Sequence, residues 1–272
     1  MLLLRGIAVL SAIVVFVSTA HADIIYAVSQ VTDQLLIVDP MTGAASAVGA
    51  TGFDLITGMS FDSQGTLYAV DNATDQLLTI DTNTGAGTAI GALGSPIVAG
   101  LAFDNSGTLF AVDYITDQLL TIDTNTGAAT AVGSLGVPGG IGTAGLAVDP
   151  TTDTLYAINN QTDMLMTINK LTGTASNVGP LGFSIPEALA FGSDGTLYSV
   201  DNLTAQLFTV NLATGVGTAI GSLGFLDVES LAIAPASVPE PTSLPLALVF
   251  VIAGMIHQAK VHSRILSDSV AN

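Results

Sequence analysis

Two glutamates stand out among the residues able to do chemistry. Between positions 23 and 237 the chain holds 18 Asp but only two Glu, Glu187 and Glu229, against a single cation, Lys170. The two Glu occupy equivalent positions in repeated segments, where the other copies carry Thr57, Ala99 and Ala144. Asp54 and Asp227 fall in the same class of loop. Carboxylates grouped like this suit Ca²⁺ or Mg²⁺, which take oxygen ligands. Two carboxylates across a pocket also suit acid–base work on a glycosidic bond. Solvated acidic side chains at a rim are the third reading.

Other chemistry is excluded. The three His, His21, His257 and His262, lie in the terminal segments, and Cys is absent. Residues 23–237 therefore hold no Ser-His-Asp triad, no thiol nucleophile and no imidazole or thiolate metal site. A formal net charge of −18 repels nucleic acid. Phe53, Phe183 and Phe225 each follow Gly in a loop of the same class and are candidates for a ligand platform or a plug of a channel end. Trp is absent, which removes the ring most used for sugar stacking.

The elements that position these residues are repeats. Residues 65–94, GTLYAVDNATDQLLTIDTNTGAGTAIGALG, return at 107–136 with 24 of 30 letters unchanged. Aligning Tyr26, Tyr68, Phe110, Tyr156 and Tyr198 gives five copies, spaced by 42, 42, 46 and 42 residues. Each copy has four short apolar runs rich in Leu, Ile, Val, Tyr and Thr, as in 66–71, 76–81, 87–93 and 98–104. Both faces of these runs are apolar, as sheets stacked face to face require. The turns DTNTG, DPMTG and NKLTG place an Asx side chain first and Gly last, the chemistry of a tight hairpin. Asp71, Asp113 and Asp201 end the second strands, and Asp33, Asp75, Asp117 and Asp163 recur in the next loop; their repetition predicts turn roles.

Four strands in about 42 residues, five times over, predict an all-β fold: a five-bladed β-propeller of antiparallel blades. The first copy opens on a second strand (24–28) and the last closes on an inner strand (229–234). The C-terminal inner strand is therefore expected to pair with the N-terminal three strands and close the ring. The run GLAFDNSGTLFAVDYITDQLLTID resembles blades of NHL-like and YVTN-like propellers, a likeness that implies the order of inner to outer strands.

The ends read as address labels. Residues 1–22 resemble a secretory signal peptide: Arg5, an apolar core from Gly6 to Val17, and Ala20-His21-Ala22 as the cleavage motif, so that the mature chain starts at Asp23. The propeller takes 23–237. Residues 238–264 begin Val238-Pro239-Glu240-Pro241 and continue through an apolar run, Leu244 to Ile256, to Lys260 and Arg264. This stretch resembles the PEP-CTERM sorting tail of Gram-negative bacteria. That likeness implies export, transient membrane anchoring through the hydrophobic segment, processing by an exosortase-type enzyme, and company with exopolysaccharide or another surface protein. Residues 265–272 are a polar extension. The sequence thus leads to the expectation of a non-catalytic binding or scaffold module at the cell surface or in the extracellular matrix, with Ca²⁺ as the candidate cofactor. The alternatives are a metal-dependent hydrolase or lactonase with its carboxylates at the axis, and a sugar-binding module.

Overall fold

The computed structural model describes residues 23–95, 97–137 and 142–235. The segments expected to be a signal peptide (1–22), a sorting tail (238–264) and a polar extension (265–272) lie outside them. Twenty strands form five four-stranded antiparallel sheets. The second blade runs β4 (Ile56–Phe61), β5 (Leu67–Asp71), β6 (Gln76–Ile80), β7 (Gly87–Ala92) from the axis outward. The third runs β8 (Val98–Phe103), β9 (Leu109–Asp113), β10 (Gln118–Ile122), β11 (Ala129–Ser134). The fourth runs β12 (Thr143–Val148), β13 (Leu155–Asn159), β14 (Met164–Ile168), β15 (Ala175–Pro180). The fifth runs β16 (Pro186–Phe191), β17 (Leu197–Asp201), β18 (Gln206–Val210), β19 (Gly217–Ser222). The first is composite: β20 (Val228–Ile233) supplies the inner strand for β1 (Ile25–Ser29), β2 (Gln34–Val38) and β3 (Ala45–Ala50). The closure expected from the sequence is present, with Ala27 opposite Leu231 and Tyr26 opposite Ala232.

The hydrophobic core is divided among the seams. One buried cluster joins each pair of neighbouring blades; Ile25, Leu36 and Leu231 of the first meet Ala188, Val200 and Leu207 of the fifth, for example. Second strands such as β9 are buried at every residue, whereas the outer strands are mostly exposed. Burial of both faces is why the strands are apolar on both alternations. Aromatic rings add to three seams: Tyr26 packs on Phe61, Tyr68 on Phe103 and Tyr156 on Phe191 at 5.3–5.6 Å.

The Asx-to-Gly turns do two jobs. Asp81 Oδ1 accepts from the amides of Asn83 and Thr84, and Gly85 takes φ +83, which closes the hairpin. The same turn then docks on the neighbouring blade. The outer strands carry Gly49, Gly91, Gly133, Gly179 and Gly221 where those turns land; a Cβ on Gly49 would lie 2.1 Å from the Thr84 carbonyl oxygen.

Candidate functional site

Backbone irregularity aims the two glutamates. Each inner strand carries a bulge near its start, and in β16 and β20 the unpaired residues are Glu187 and Glu229. A bulge leaves its extra residue out of the ladder and turns the side chain away from its regular direction. In β8 and β12 the bulge falls on Gly100 and Gly145, with φ of +61 and +44, and offers no functional side chain. β16 and β20 are neighbours around the axis, so the two carboxyls meet.

They come close enough for the charge of one to act on the other. Burial, then the charges of Glu229 and Asp227, push the Glu187 carboxyl up to about 7. Burial and Asp227 raise Glu229 too, against the lowering effect of donors from Gln30 and Glu187. Gln30 Nε2 bonds Glu229 Oε2 at 2.5 Å, and Asn202 Nδ2 reaches both Glu187 Oε2 and Asp227 Oδ1 at 3.3 Å. Asn202 is itself oriented by its Oδ1, which accepts the Val228 amide at 2.8 Å. Asn72 makes the equivalent bond to the Val98 amide, at 3.0 Å, in the seam between the second and third blades.

The structure brings Glu187, Glu229 and Asp227 together and leaves Asp54 out. Asp54 is exposed in its loop, and Asp227 rather than Asp54 stands immediately before an inner strand. Among the described residues no group of three or more Asp, Glu, His or Cys is arranged to hold a metal ion. Gln30 and Asn202 already engage an oxygen of each glutamate, so the described residues form no open cage for Ca²⁺. Titration of the chain with calcium at pH 6 is accordingly expected to release no heat up to millimolar concentration, measured by calorimetry. Binding heat that disappears in Glu187→Gln would reverse this assignment.

Among the described residues, space beside the pair is scarce. Inner strands approach backbone to backbone at Gly58, Gly100 and Gly145; a Cβ on Gly100 would lie 2.7 Å from the Leu146 nitrogen. The void that Glu229 borders holds about 10 Å³, room for no more than one water. The three phenylalanines are elsewhere. Phe53 and Phe183 cover Gly87 and Gly217 at the start of outer strands, Phe183 stacks on Phe208 at 3.9 Å, and Phe225 packs against the buried cluster between the fifth and first blades. They neither plug the axis nor form a platform there. Their job is packing within the seams, and for Phe53 and Phe183 it needs Gly beneath the ring.

The repeated aspartates are structural. Asp71 is buried; its Oδ1 accepts the Leu55 amide and its Oδ2 the Thr74 amide. Asp201 repeats this with Ile185 and Thr204. Asp33, Asp75, Asp117 and Asp163 hold left-handed turn positions, φ between +52 and +56, where the last copy has Ala205 at +51.

The roomy cavity is at the opposite end of the axis, which the sequence did not single out. It measures about 800 Å³. Its floor is Met59, Leu101, Leu146, Leu189 and Leu231, and Phe61, Phe103 and Phe191 stand in its wall. Small residues at the next level, Ser60, Ala102, Ala147, Ala190 and Ala232, leave the room. Its rim is polar and includes Asp62, Gln64, Asp104 and Asn105, from turns joining inner to second strands. Asp62 is committed to its own turn through the amides of Gln64 and Thr66. Asp104 pairs with Lys170 at 3.0 Å.

Comparison with known proteins agrees with this architecture. The family described as "Repeat of unknown function (DUF6923)" matches residues 21–180. The chain belongs to this repeat family. Among curated proteins none matches it in sequence. A chain from a nidogen/laminin complex superposes with a TM-score of 0.59 at 15% identity, over 80% of this chain and 100% of its own. A structural-genomics protein of unknown function from Bacteroides thetaiotaomicron gives 0.54 at 17% identity, over 74% of this chain and 58% of its own. At such identities the likeness is one of fold.

Proposed function

We propose that this DUF6923 protein is an exported, non-catalytic binding or scaffold module, held at the cell envelope or in the extracellular matrix. The axial cup of about 800 Å³ carries the reading. It is a concave, apolar-floored site with a polar rim, the form in which a propeller seats part of a ligand or partner. No carboxyl, imidazole or thiol stands in its floor. Glu187 and Glu229, whose carboxyls are shifted upward, lie at the other end of the axis, beside a void of about 10 Å³ too small for a substrate. A hydrolase or lactonase would need that pair and that space in one place. The nidogen/laminin chain shows that a similar fold serves a protein–protein assembly.

Export rests on the sequence at both ends: the leader up to Ala22, and Val238-Pro239-Glu240-Pro241 followed by an apolar run. Among the described residues no helix is long and apolar enough to cross a membrane, and Leu244 to Ile256 lies outside them. On this reading an exosortase-type enzyme handles the tail. The surface partner is an exopolysaccharide or another surface protein.

Fractionation of a Gram-negative host tests it. The full chain is expected in the envelope fraction and accessible to added protease in intact cells. A chain lacking residues 238–264 is expected to pass to the soluble exported fraction. Cytoplasmic retention of both, or identical distribution of the two, would refute the assignment.

A further inference from the structure

The structure assigns a task to the amino group that maturation exposes at Asp23. We propose that cleavage between Ala22 and Asp23 creates an α-ammonium that neutralises the carboxylates at the seam of the fifth and first blades, as Lys170 does at the seam of the third and fourth. The proposal rests on the export reading above for its occurrence in the cell, but its physics can be tested apart from it.

The two seams are built alike. Asp153 stands two residues before β13, and Asp23 two residues before β1. The Asp153 carboxylate accepts the amide of Asn105, the second residue after β8, at 3.0 Å. Asp23 Oδ2 accepts the amide of Ser193, the second residue after β16, at 3.0 Å. In the remaining copies the matching positions are Gly65, Gly107 and Gly195, which have no carboxylate to offer.

The seams differ in one respect. At the first, Lys170 Nζ bridges Asp153 and Asp104. At the second, the place of Lys170 in its hairpin is taken by Pro40. Asp23 Oδ1 is buried there with no hydrogen-bond partner. Asp194 crowds the same spot: a Cβ on Gly192 would lie 2.6 Å from Asp23 Oδ2 and 3.0 Å from Asp194 Oδ1. Both carboxylates, after burial, act to raise the Tyr198 pKa. Lys170 is the only Lys or Arg among the described residues, so no described side chain of that kind answers these two. An unpartnered buried carboxylate oxygen beside a second carboxylate is costly unless a cation is supplied.

Cleavage supplies it. Hydrolysis adds water across the Ala22–Asp23 peptide bond: the hydroxyl goes to the Ala22 carbonyl carbon, which leaves as a carboxylate, and the Asp23 nitrogen is freed as an amine that is protonated at neutral pH. One neutral N–H becomes three donors and a positive charge, separated from the Asp23 carboxyl only by Cα and Cβ. Continuing the ladder between β1 and β20 places Asp23 opposite Pro235, which has no N–H to give. The ammonium thus sits beside the strand pair that closes the ring, and processing tightens the closure.

The sign of the pH dependence follows. An amine that gains carboxylate partners has its folded pKa raised above the ordinary value of about 7.7–8.0. Its stabilisation is complete below that ordinary value and is lost as pH rises through the folded pKa. The groups facing it are the Asp23 carboxylate, Asp194 from the turn after β16, and Tyr198 from β17, whose phenol is pushed up by burial and then by Asp194 and Asp23.

The test compares two forms of the chain 23–272: one with a free Asp23 amine, released from a fusion by a protease that leaves no extra residue, and the same chain acetylated at that nitrogen. The free form is expected to melt higher at pH 6 by about 2–4 °C. The gap should shrink by pH 9.5 and be lost in Asp194→Asn. Equal melting at pH 6, or a gap indifferent to both pH and Asp194→Asn, overturns the proposal. Mass spectrometry of the host-made protein tests the export reading alone, since a mature terminus other than Asp23 sinks that reading whatever the melting temperatures show.

Discussion

Replacing Gly133 with alanine is expected to cost the fold about 3 kcal/mol or more, a fall in melting temperature of about 6–12 °C for a domain of this size. Gly133 in β11 does not have a positive φ, so its backbone conformation is open to alanine. The obstacle is the neighbouring blade. A Cβ at this position would lie 2.2 Å from the carbonyl oxygen of Thr172, a backbone atom in the turn that ends on Gly173. No rotamer change relieves that; the blades must separate, and the seam cluster that includes Leu135, Leu155 and Met166 loses packing with them. Gly107→Ala is the control. Gly107 has φ +85 but nothing within 4 Å of the added carbon, so it pays only the left-handed strain, about 1–2 kcal/mol. Thermal melting of the two variants should place Gly133→Ala well below Gly107→Ala. Parity between them would mean that the seam yields freely.

The same comparison shows which information a repeat sequence carries. Strand number, blade count and ring closure are local or periodic properties, and the spacing of Tyr26, Tyr68, Phe110, Tyr156 and Tyr198 displays them. The Asx-to-Gly turns are legible because Asp81 bonds amides two and three residues on. Contacts between blades are another matter. That Gly85 packs against Gly49 follows from the way two sheets lean together, and nothing in either turn announces it.

The candidate site divides along the same line. Glu187 and Glu229 could be matched by register because they occupy one position in two copies. Gln30 and Asn202, which hold them, sit in turns and read as turn residues; each also reaches across a seam, Gln30 to the Ile56 carbonyl and Asn202 to Asp227. Phe53 and Phe183 look like axial groups from their loops alone. A clue was present in the partner strands, where β7 and β19 begin with Gly87 and Gly217 while other outer strands begin with Ala. The axial cup was missed because it is defined by what is small, such as Ala102 and Ala147, and a void has no letter of its own.

Glu187→Gln is expected to make the protein more stable at pH 8 and to leave it nearly unchanged at pH 5. The Glu187 carboxyl is raised from the usual range to about 7, by burial first and then by Glu229 and Asp227. A carboxyl shifted upward binds its proton more firmly in the folded state than in the unfolded one. Folding is therefore penalised once the pH exceeds the unfolded value of about 4.3, and the penalty grows until the pH passes the folded value near 7. The substituted side chain keeps a polar amide beside Glu229 at every pH, without the third negative charge. Discounted for partial exposure, the gain at pH 8 is about 1–2 kcal/mol, or about 2–8 °C. The depressed aspartates Asp81, Asp104, Asp113, Asp123, Asp149 and Asp153 work in the opposite direction, but only as pH falls below the ordinary carboxylate range, so they leave this window clear. Melting curves between pH 5 and 8 should fall more steeply for the natural chain than for Glu187→Gln. Parallel curves would show that Glu187 ionises freely and that its burial beside Glu229 and Asp227 costs the fold nothing.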